Sequence, residues 1–295
     1  MQERPMTEVE TGRISANGVD FAYLAQGHGE LALCLHGFPD SAETFRPLMA
    51  ALAEAGYRAV APFMRGYAPT EIPRDGRYQT AVLGQDAIAL IEAFGAKSAV
   101  VIGHDWGAGA AYAAAIIAPE RVRRLITAAV PYGPSLAMSL ITDPVQQRRS
   151  WYMYLLTSPL GEMALSFGNF GLVDRLWSDW SPGFHPGAGY MEALKKTFAQ
   201  PGTALAAASY YKHTFLPDLR DPSLAELQGK LGTAPITMPT LYLHGADDGC
   251  VGAYIAPDAA LFAAGLEIEI VPGTGHFLHL EKPVVVNRRI VEFLR

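Results

Sequence analysis

The β-branched apolar run Ala99-Val100-Val101-Ile102 passes through Gly103-His104-Asp105-Trp106-Gly107 directly into a helix of small residues that continues to about Ala118. An apolar strand turned at once into a helix is the repeating half of a β-α-β unit, and strands apolar on both faces belong to a parallel sheet covered by helices on both sides. The flanking sequence repeats the alternation. Residues 31–35 form a short apolar run ended by His36-Gly37. Residues 41–56 have helical periodicity, with Phe45, Leu48, Met49 and Leu52 on one face and Gly56 as a stop. Residues 58–62 read as a strand, 80–95 as a second amphipathic helix and 122–130 as the next strand.

The alternation then stops. Residues 132–235 carry helical stretches and no convincing strand, with a concentration of aromatics that includes Trp151, Tyr152, Tyr154, Trp177, Trp180, Tyr190, Tyr210 and Tyr211. Strand and helix signals resume with a strand over 240–244, a helix near 257–264, a strand over 267–271 and a last helix over 283–294. The expectation is one α/β core from residues 1–131 and 236–295, with 132–235 inserted as an all-helical lid. A chain of 295 residues, 50% apolar and 18% charged, has the length and composition for such a compact fold. It contains no internal repeat or low-complexity tract.

Several function classes are excluded at this level. The net charge is −6 and no Lys/Arg cluster interrupts the chain, which argues against nucleic-acid binding. The most apolar helix, the one after Asp105, is too short to span a bilayer core of roughly 30 Å, and residues 1–12 are too polar for a signal peptide. Two cysteines, Cys34 and Cys250, provide no disulfide framework. The expectation is a cytoplasmic protein with no membrane partner. His36, His104, His276 and His279 form no metal-ligand set with carboxylates at a recognisable spacing, so no metal and no cofactor is expected. Nothing in the sequence sets an oligomeric state.

The segment Gly103–Gly107 occupies the place of a nucleophile elbow, a tight turn between strand and helix that exposes its central side chain at the carboxyl edge of the sheet. It also brings the Trp106 N–H to a helix N-terminus, where it can stabilise an oxyanion. The bland alternative is that Asp105 merely caps the helix. Two later loops weaken that alternative. Gly245-Ala246-Asp247-Asp248 follows the strand ending at His244, and Gly273-Thr274-Gly275-His276 follows the strand ending at Val271. Nucleophile, acid and histidine thus follow in one chain order, each just past a strand's carboxyl end. His279, flanked by leucines, suits a packed loop histidine. A fourth loop, His36-Gly37-Phe38-Pro39, stands where the second oxyanion N–H is supplied, by the backbone of Phe38.

With these motifs the chain resembles the α/β-hydrolase superfamily over nearly its full length. It is most similar to the epoxide hydrolase branch, through His36-Gly-Phe-Pro39, Arg65-Gly-Tyr67, Gly103-His-Asp-Trp-Gly107 and Gly275-His276. The resemblance implies an α/β-hydrolase fold with a mostly parallel central sheet and Asp105 as nucleophile. The family pattern Gly-x-x-Asp selects Asp248 over Asp247 as the acid. A carboxylate that attacks a saturated carbon forms an alkyl ester. Water activated by His276, which Asp248 orients, then hydrolyses that ester.

The resemblance also implies two lid tyrosines that donate to an opening epoxide oxygen. Tyr152, in Trp151-Tyr152-Met153-Tyr154 before Pro159, matches the first, and Tyr211, in Ser209-Tyr210-Tyr211-Lys212, the second. Tyr154 and Tyr210 are their substitutes. The expected pocket is formed by Phe38, Trp106, Tyr152, Tyr154, Tyr210 and Tyr211, and suits a small, uncharged, lipophilic substrate. The alternative is a haloalkane dehalogenase with the same Asp105, His276 and Asp248. Such enzymes typically use two side-chain N–H donors for the halide, often two Trp or a Trp and an Asn, the Asn of the second pattern standing where this chain has Phe38. Fluoroacetate dehalogenases have arginines just after the nucleophile, where Trp106 and small residues stand here, so an anionic substrate is disfavoured. Ala68-Pro69-Thr70 also departs from the glycine and serine common in the family. Cys250, two residues past Asp248, is either near the site or a small buried hydrophobe, the second being favoured. A non-catalytic receptor is disfavoured because every triad position is filled, and a serine esterase because the elbow has no serine.

Overall fold

The computed structural model describes residues 8–295; most of the opening polar segment, residues 1–7, lies outside them. One eight-stranded sheet runs through it in the order β1-β2-β4-β3-β5-β6-β7-β8. The strands are β1 Glu10–Ala16, β2 Val19–Gln26, β3 Glu30–Leu35, β4 Tyr57–Pro62, β5 Ala99–His104, β6 Val122–Ala128, β7 Thr240–Gly245 and β8 Leu266–Val271. From β4 across to β8 all neighbours are parallel, and β2 is antiparallel to both β1 and β4.

The two sheet faces are separate cores, because successive strand residues point to opposite sides. On β5, Val101 joins one core while Val100 and Ile102 join the other. The first face is covered by α2 (Thr80–Ala93) and α3 (Trp106–Ile117), through Leu83, Leu90, Ala111 and Ala115. The second is covered by α1 (Arg46–Glu54) and the last helix, Pro283–Leu294, through Leu48, Leu52, Val286 and Ile290. The alanines and glycines of α3 allow it to lie close on the sheet. A Cβ at Gly107 would sit 1.8 Å from the Leu35 carbonyl oxygen, and one at Gly84 on α2 would sit 2.6 Å from the Ala113 Cβ.

Between β6 and β7 the structured elements are helical: α4 Ser135–Thr142, α5 Pro144–Arg149, α6 Trp151–Thr157, α7 Gly161–Trp180, α8 Ala188–Phe198, α9 Thr203–Phe215 and α10 Ala225–Lys230. Helix α7 is broken at Phe167–Phe170, where four residues leave helical geometry. This helical segment is tied to the sheet's loops by polar contacts. The Trp177 indole N–H donates to the Pro39 carbonyl, and the Trp180 carbonyl accepts from the backbone N–H groups of Gly249 and His276. After β8 follow α11 (Leu278–Glu281) and α12 (Pro283–Leu294). Among the described residues no helix is long and apolar enough to cross a membrane.

Several expectations change. The β1–β2 hairpin lies outside the expected elements, although its turn dipeptide Asn17-Gly18, at φ 45° and 73°, is a type I′ signal. Strand β1 reads weakly because it is a half-exposed edge. The helix expected over 257–264 is only a 3-10 turn at Ala259–Leu261, where the Asp258 carboxylate caps the Ala260 N–H and Gly265 follows at φ 97°. The strand expected to reach residue 130 ends at Ala128, since Ala129 turns at φ 69°. Residues 41–56 divide into a 3-10 turn, Ala42–Phe45, and α1.

Candidate active site

Asp105 has φ 54° and ψ −119°, a backbone conformation rare for any residue but glycine. Holding it costs about 1–3 kcal/mol, which the surrounding glycines and packing must sustain. Gly103 and Gly107 make the turn possible, since a Cβ on Gly103 would lie 2.2 Å from the Gly107 carbonyl oxygen. The Asp105 side chain makes no capping bond to α3. Its Oδ1 accepts the Phe38 N–H at 2.7 Å, and its Oδ2 lies 3.7 Å from His276 Nε2. Gly37 leaves room for this approach, because a Cβ there would sit 2.2 Å from Asp105 Oδ1. His36 stiffens the loop: its Nε2 accepts the Met64 N–H and its Nδ1 donates to the Gly37 carbonyl. Burial lowers the His36 pKa to about 4, so the ring is neutral in this role.

The Asp248 carboxylate is held on several sides. Oδ2 accepts from His276 Nδ1 at 2.9 Å, and Oδ1 accepts the N–H groups of Cys250 and Val251 at 2.7 and 3.0 Å. Burial by itself would raise the Asp248 pKa. The charge of His276 and the hydrogen bonds from His244 and His276 outweigh it and hold the carboxyl well below the usual range. For His276 burial favours the neutral ring, but the neighbouring Asp248, Cys250 and Asp105 reverse this and raise its pKa well above the ordinary value. Asp247 is exposed and faces away, its backbone N–H bonded to the Thr274 carbonyl. His279 is buried against Thr44, 2.6 Å from the Thr44 Oγ1.

Behind Asp248 is a histidine that no sequence motif marks. His244 Nε2 donates to the Val251 carbonyl at 2.9 Å and lies 3.3 Å from Asp248 Oδ2. The Tyr242 hydroxyl donates to its Nδ1. A second unmarked group, Asp40, follows the His36–Pro39 loop. Its Oδ1 accepts from the Tyr190 hydroxyl at 2.5 Å and from the Ser41 N–H at 2.8 Å, while Oδ2 has no hydrogen-bond partner. Burial raises the Asp40 pKa to about 7. The end-of-strand position of His244 and the loop position of Asp40 are visible in the sequence, but neither specifies a partner.

A mostly apolar cavity of about 410 Å³ opens onto Asp105 and Trp106, with Tyr152 and Tyr211 on its helical side and Leu136, Leu140, Met153 and Phe215 among its walls. Both tyrosines are buried, with ring centroids 5.7 Å apart. The Tyr152 hydroxyl is 3.3 Å from Cys250 Sγ, whereas the Tyr211 hydroxyl makes no hydrogen bond of normal geometry. Burial, reinforced by the Asp105 charge, raises both pKa values well above the usual tyrosine value, so both are protonated at neutral pH.

The other expected pocket residues lie elsewhere. Tyr154, two residues from Tyr152, is about 200° around the helix; it is 50% exposed and packs on Phe215. Tyr210 is turned toward the sheet loops, where its hydroxyl donates to the Arg65 carbonyl at 2.8 Å. Phe38 is fully buried behind the tyrosines, its ring edge-on to Tyr211 and stacked on Tyr152, and contributes its backbone and not its ring to the site. Cys250, favoured as a packing residue, is buried at the centre: one ligand atom each from Asp105, Cys250 and His276 lie within 4.8 Å of one another.

A profile of the alpha/beta hydrolase fold matches residues 32–171. An epoxide hydrolase from Caballeronia sordidicola is 31% identical, with 96% of this chain and 92% of that protein covered. Human epoxide hydrolase 4 is 29% identical over 96% of this chain and 78% of its own length. Among solved structures, an epoxide hydrolase from Bacillus megaterium in complex with an inhibitor superposes with a TM-score of 0.83 at 27% identity, covering 96% of this chain and 99% of that one.

Proposed function

The chain belongs to the epoxide hydrolase-like branch of the α/β-hydrolase superfamily, and from that premise we propose that it hydrolyses an epoxide to a vicinal diol through an alkyl ester on Asp105. The observation that carries this reading is the pair of buried, protonated tyrosines, Tyr152 and Tyr211, lining the same cavity as Asp105. An opening epoxide develops an alkoxide that needs a proton. A departing halide needs only dipoles.

In the first step Asp105 Oδ2 attacks a ring carbon, while Oδ1 stays on the Phe38 N–H. Tyr152 and Tyr211 donate to the ring oxygen, and one of them gives up its proton as the C–O bond breaks. In the second step His276 Nε2 takes a proton from water, and the resulting hydroxide attacks the ester carbon. The Phe38 and Trp106 N–H groups stabilise the oxyanion. The ester C–O bond breaks, the proton of the new carboxyl passes to the departing alkoxide, and Asp105 is restored as a carboxylate. The proton on His276 returns to the tyrosinate. Asp248 orients the imidazole and stabilises its charge.

Residues 132–235 act in this reading as the cap that closes the cavity over the sheet edge. Its apolar walls suit a small, uncharged, lipophilic substrate. The two buried free cysteines fit a reducing, cytoplasmic setting. The test is a panel of terminal, aryl and cyclic epoxides together with bromoalkanes, assayed for diol and for halide. Diol from the epoxides is expected. Halide release with no diol would assign the dehalogenase activity instead.

A further inference from the structure

We propose that Asp105, Cys250 and His276 form a binding site for a soft divalent cation, zinc or cadmium, that blocks the reactive centre. The three residues are far apart in sequence, so no spacing motif marks them. The fold brings one ligand atom from each to within 4.8 Å of the others, all three side chains buried. They supply one carboxylate oxygen, one imidazole nitrogen and one sulfur, a donor set that selects zinc-like ions over magnesium or calcium.

The hydrogen bonds around the cluster leave its inner atoms free. Asp105 Oδ1 is occupied by the Phe38 N–H, so Oδ2 is the oxygen turned inward. His276 Nδ1 donates to Asp248, so Nε2 is the ring nitrogen left to offer a lone pair to a metal once its proton is displaced. Nε2 is buried, has no hydrogen-bond partner and lies 3.7 Å from Asp105 Oδ2. Asp105 Oδ2 and His276 Nε2 face each other across that gap, with the Asp248 carboxylate close behind, and a metal cation entering it displaces the proton that these carboxylates favour on Nε2. Such a gap is electrostatically suited to a cation.

The dimensions are near those required. Zinc bond lengths of about 2.3 Å to sulfur and about 2.0–2.2 Å to nitrogen or oxygen place tetrahedral ligands roughly 3.3–3.6 Å apart. The Asp105–His276 pair, at 3.7 Å, needs to close only slightly. The separations involving sulfur shorten by at most roughly 1.2 Å from the 4.8 Å limit, by movement of Sγ about the Cα–Cβ bond and small shifts of the other two. Sγ then leaves the Tyr152 hydroxyl, its present contact at 3.3 Å. Of the three residues Asp105 lines the cavity of about 410 Å³, which offers a route of entry. Binding breaks the Cys250 S–H bond, forms a metal–sulfur bond and releases that proton to solvent, together with any proton held on His276 Nε2, with no change of oxidation state.

The experiment is a titration of the full chain with cadmium chloride, followed by the ultraviolet thiolate-to-cadmium charge-transfer absorbance, with magnesium chloride in parallel. The expected result is saturation at one equivalent of cadmium and no response to magnesium. Cys250→Ala and Cys250→Ser should abolish the band, and Cys34→Ala should keep it; the two Cys250 variants are paired so that one folded protein suffices, checked by circular dichroism. His276→Gln should weaken cadmium binding at least about tenfold. No band, a band that survives in the Cys250 variants, or one lost with Cys34 would overturn the site. Loss of diol formation in step with the band rests on the proposed epoxide hydrolysis, whereas the band does not. A band without measurable turnover on any epoxide would therefore count against that activity and leave the metal site standing.

Discussion

The two sides of the cavity are built differently. On the sheet side, Asp105, Asp248, His276 and Phe38 lie on loops that leave the carboxyl ends of parallel strands, and backbone geometry places them. Asp105 is set by a turn at φ 54° with glycines on both sides, and Asp248 by two backbone N–H groups in its own loop. On the helical side, Tyr152 and Tyr211 are placed by packing: they lie on α6 and α9, which meet edge-on, ring against ring, over Phe38. The first arrangement is local and tolerates little backbone change. The second depends on how two helices, separated in sequence by the broken α7 and by α8, settle against each other. The carboxylate proposed as nucleophile thus lies on the side placed by backbone turns, and the groups proposed to meet the leaving oxygen on the side placed by helix packing.

The largest test of this contrast is Asp105→Ala. Removing the proposed nucleophile should lower turnover by roughly 10⁴-fold or more, as loss of a nucleophile does elsewhere, measured as diol formation; a rate within tenfold of the original would remove Asp105 from the reaction. Next, His276→Gln should separate the two steps, leaving alkylation while stopping hydrolysis. Intact-protein mass spectrometry should then show an adduct equal to one substrate, and its absence with an epoxide that the unaltered protein turns over would break the two-step scheme.

Tyr152→Phe and Tyr211→Phe examine the helical side. Each should cost about 10²–10³-fold in the alkylation rate, the range for loss of one preorganised donor, in single-turnover kinetics. Tyr154→Phe should change it less than twofold, because Tyr154 is half exposed and outside the cavity. Equal effects at residues 152 and 154 would mean that α6 presents a different face to the substrate.

The smallest expected effect concerns Asp40. Burial raises its pKa from 3.8 to about 7, so the folded state binds its proton more tightly than the unfolded chain does. Its contribution to stability is fully present below about pH 4 and is lost as pH rises through about 7. Asp40→Asn does not titrate. The Tm of that variant relative to the original protein should therefore climb between those pH values and level off above them. A difference that stays flat with pH would show that Asp40 is not held protonated by burial.

The sheet side is largely legible in the amino-acid sequence, because turns into and out of parallel strands leave local signatures such as Gly103–Gly107 and His36–Pro39. The choice of Asp248 over Asp247 rests on a family pattern; in the structure the Asp248 carboxylate is buried between two histidines and Asp247 is exposed. The helical side is legible only as a concentration of aromatics and a resemblance. Tyr154 and Tyr210 stand next to the relevant positions, and which of four tyrosines faces the cavity is a matter of helix rotation. Strand β1 is hard to read because it is a half-exposed edge, and the helix expected over 257–264 fails because a capped 3-10 turn meets the same composition.

The sequence by itself determined the parallel sheet, the helical insertion and the carboxylate at the elbow, because each is written in residues adjacent along the chain. Only the tertiary structure decided the surroundings of that carboxylate. His244 behind Asp248, the turn of α9 that sends Tyr210 to Arg65 and Tyr211 to the cavity, and Cys250 beside Asp105 and His276 join residues many positions apart. Their proximity is set by the packing of helices on the sheet, which local periodicity does not encode.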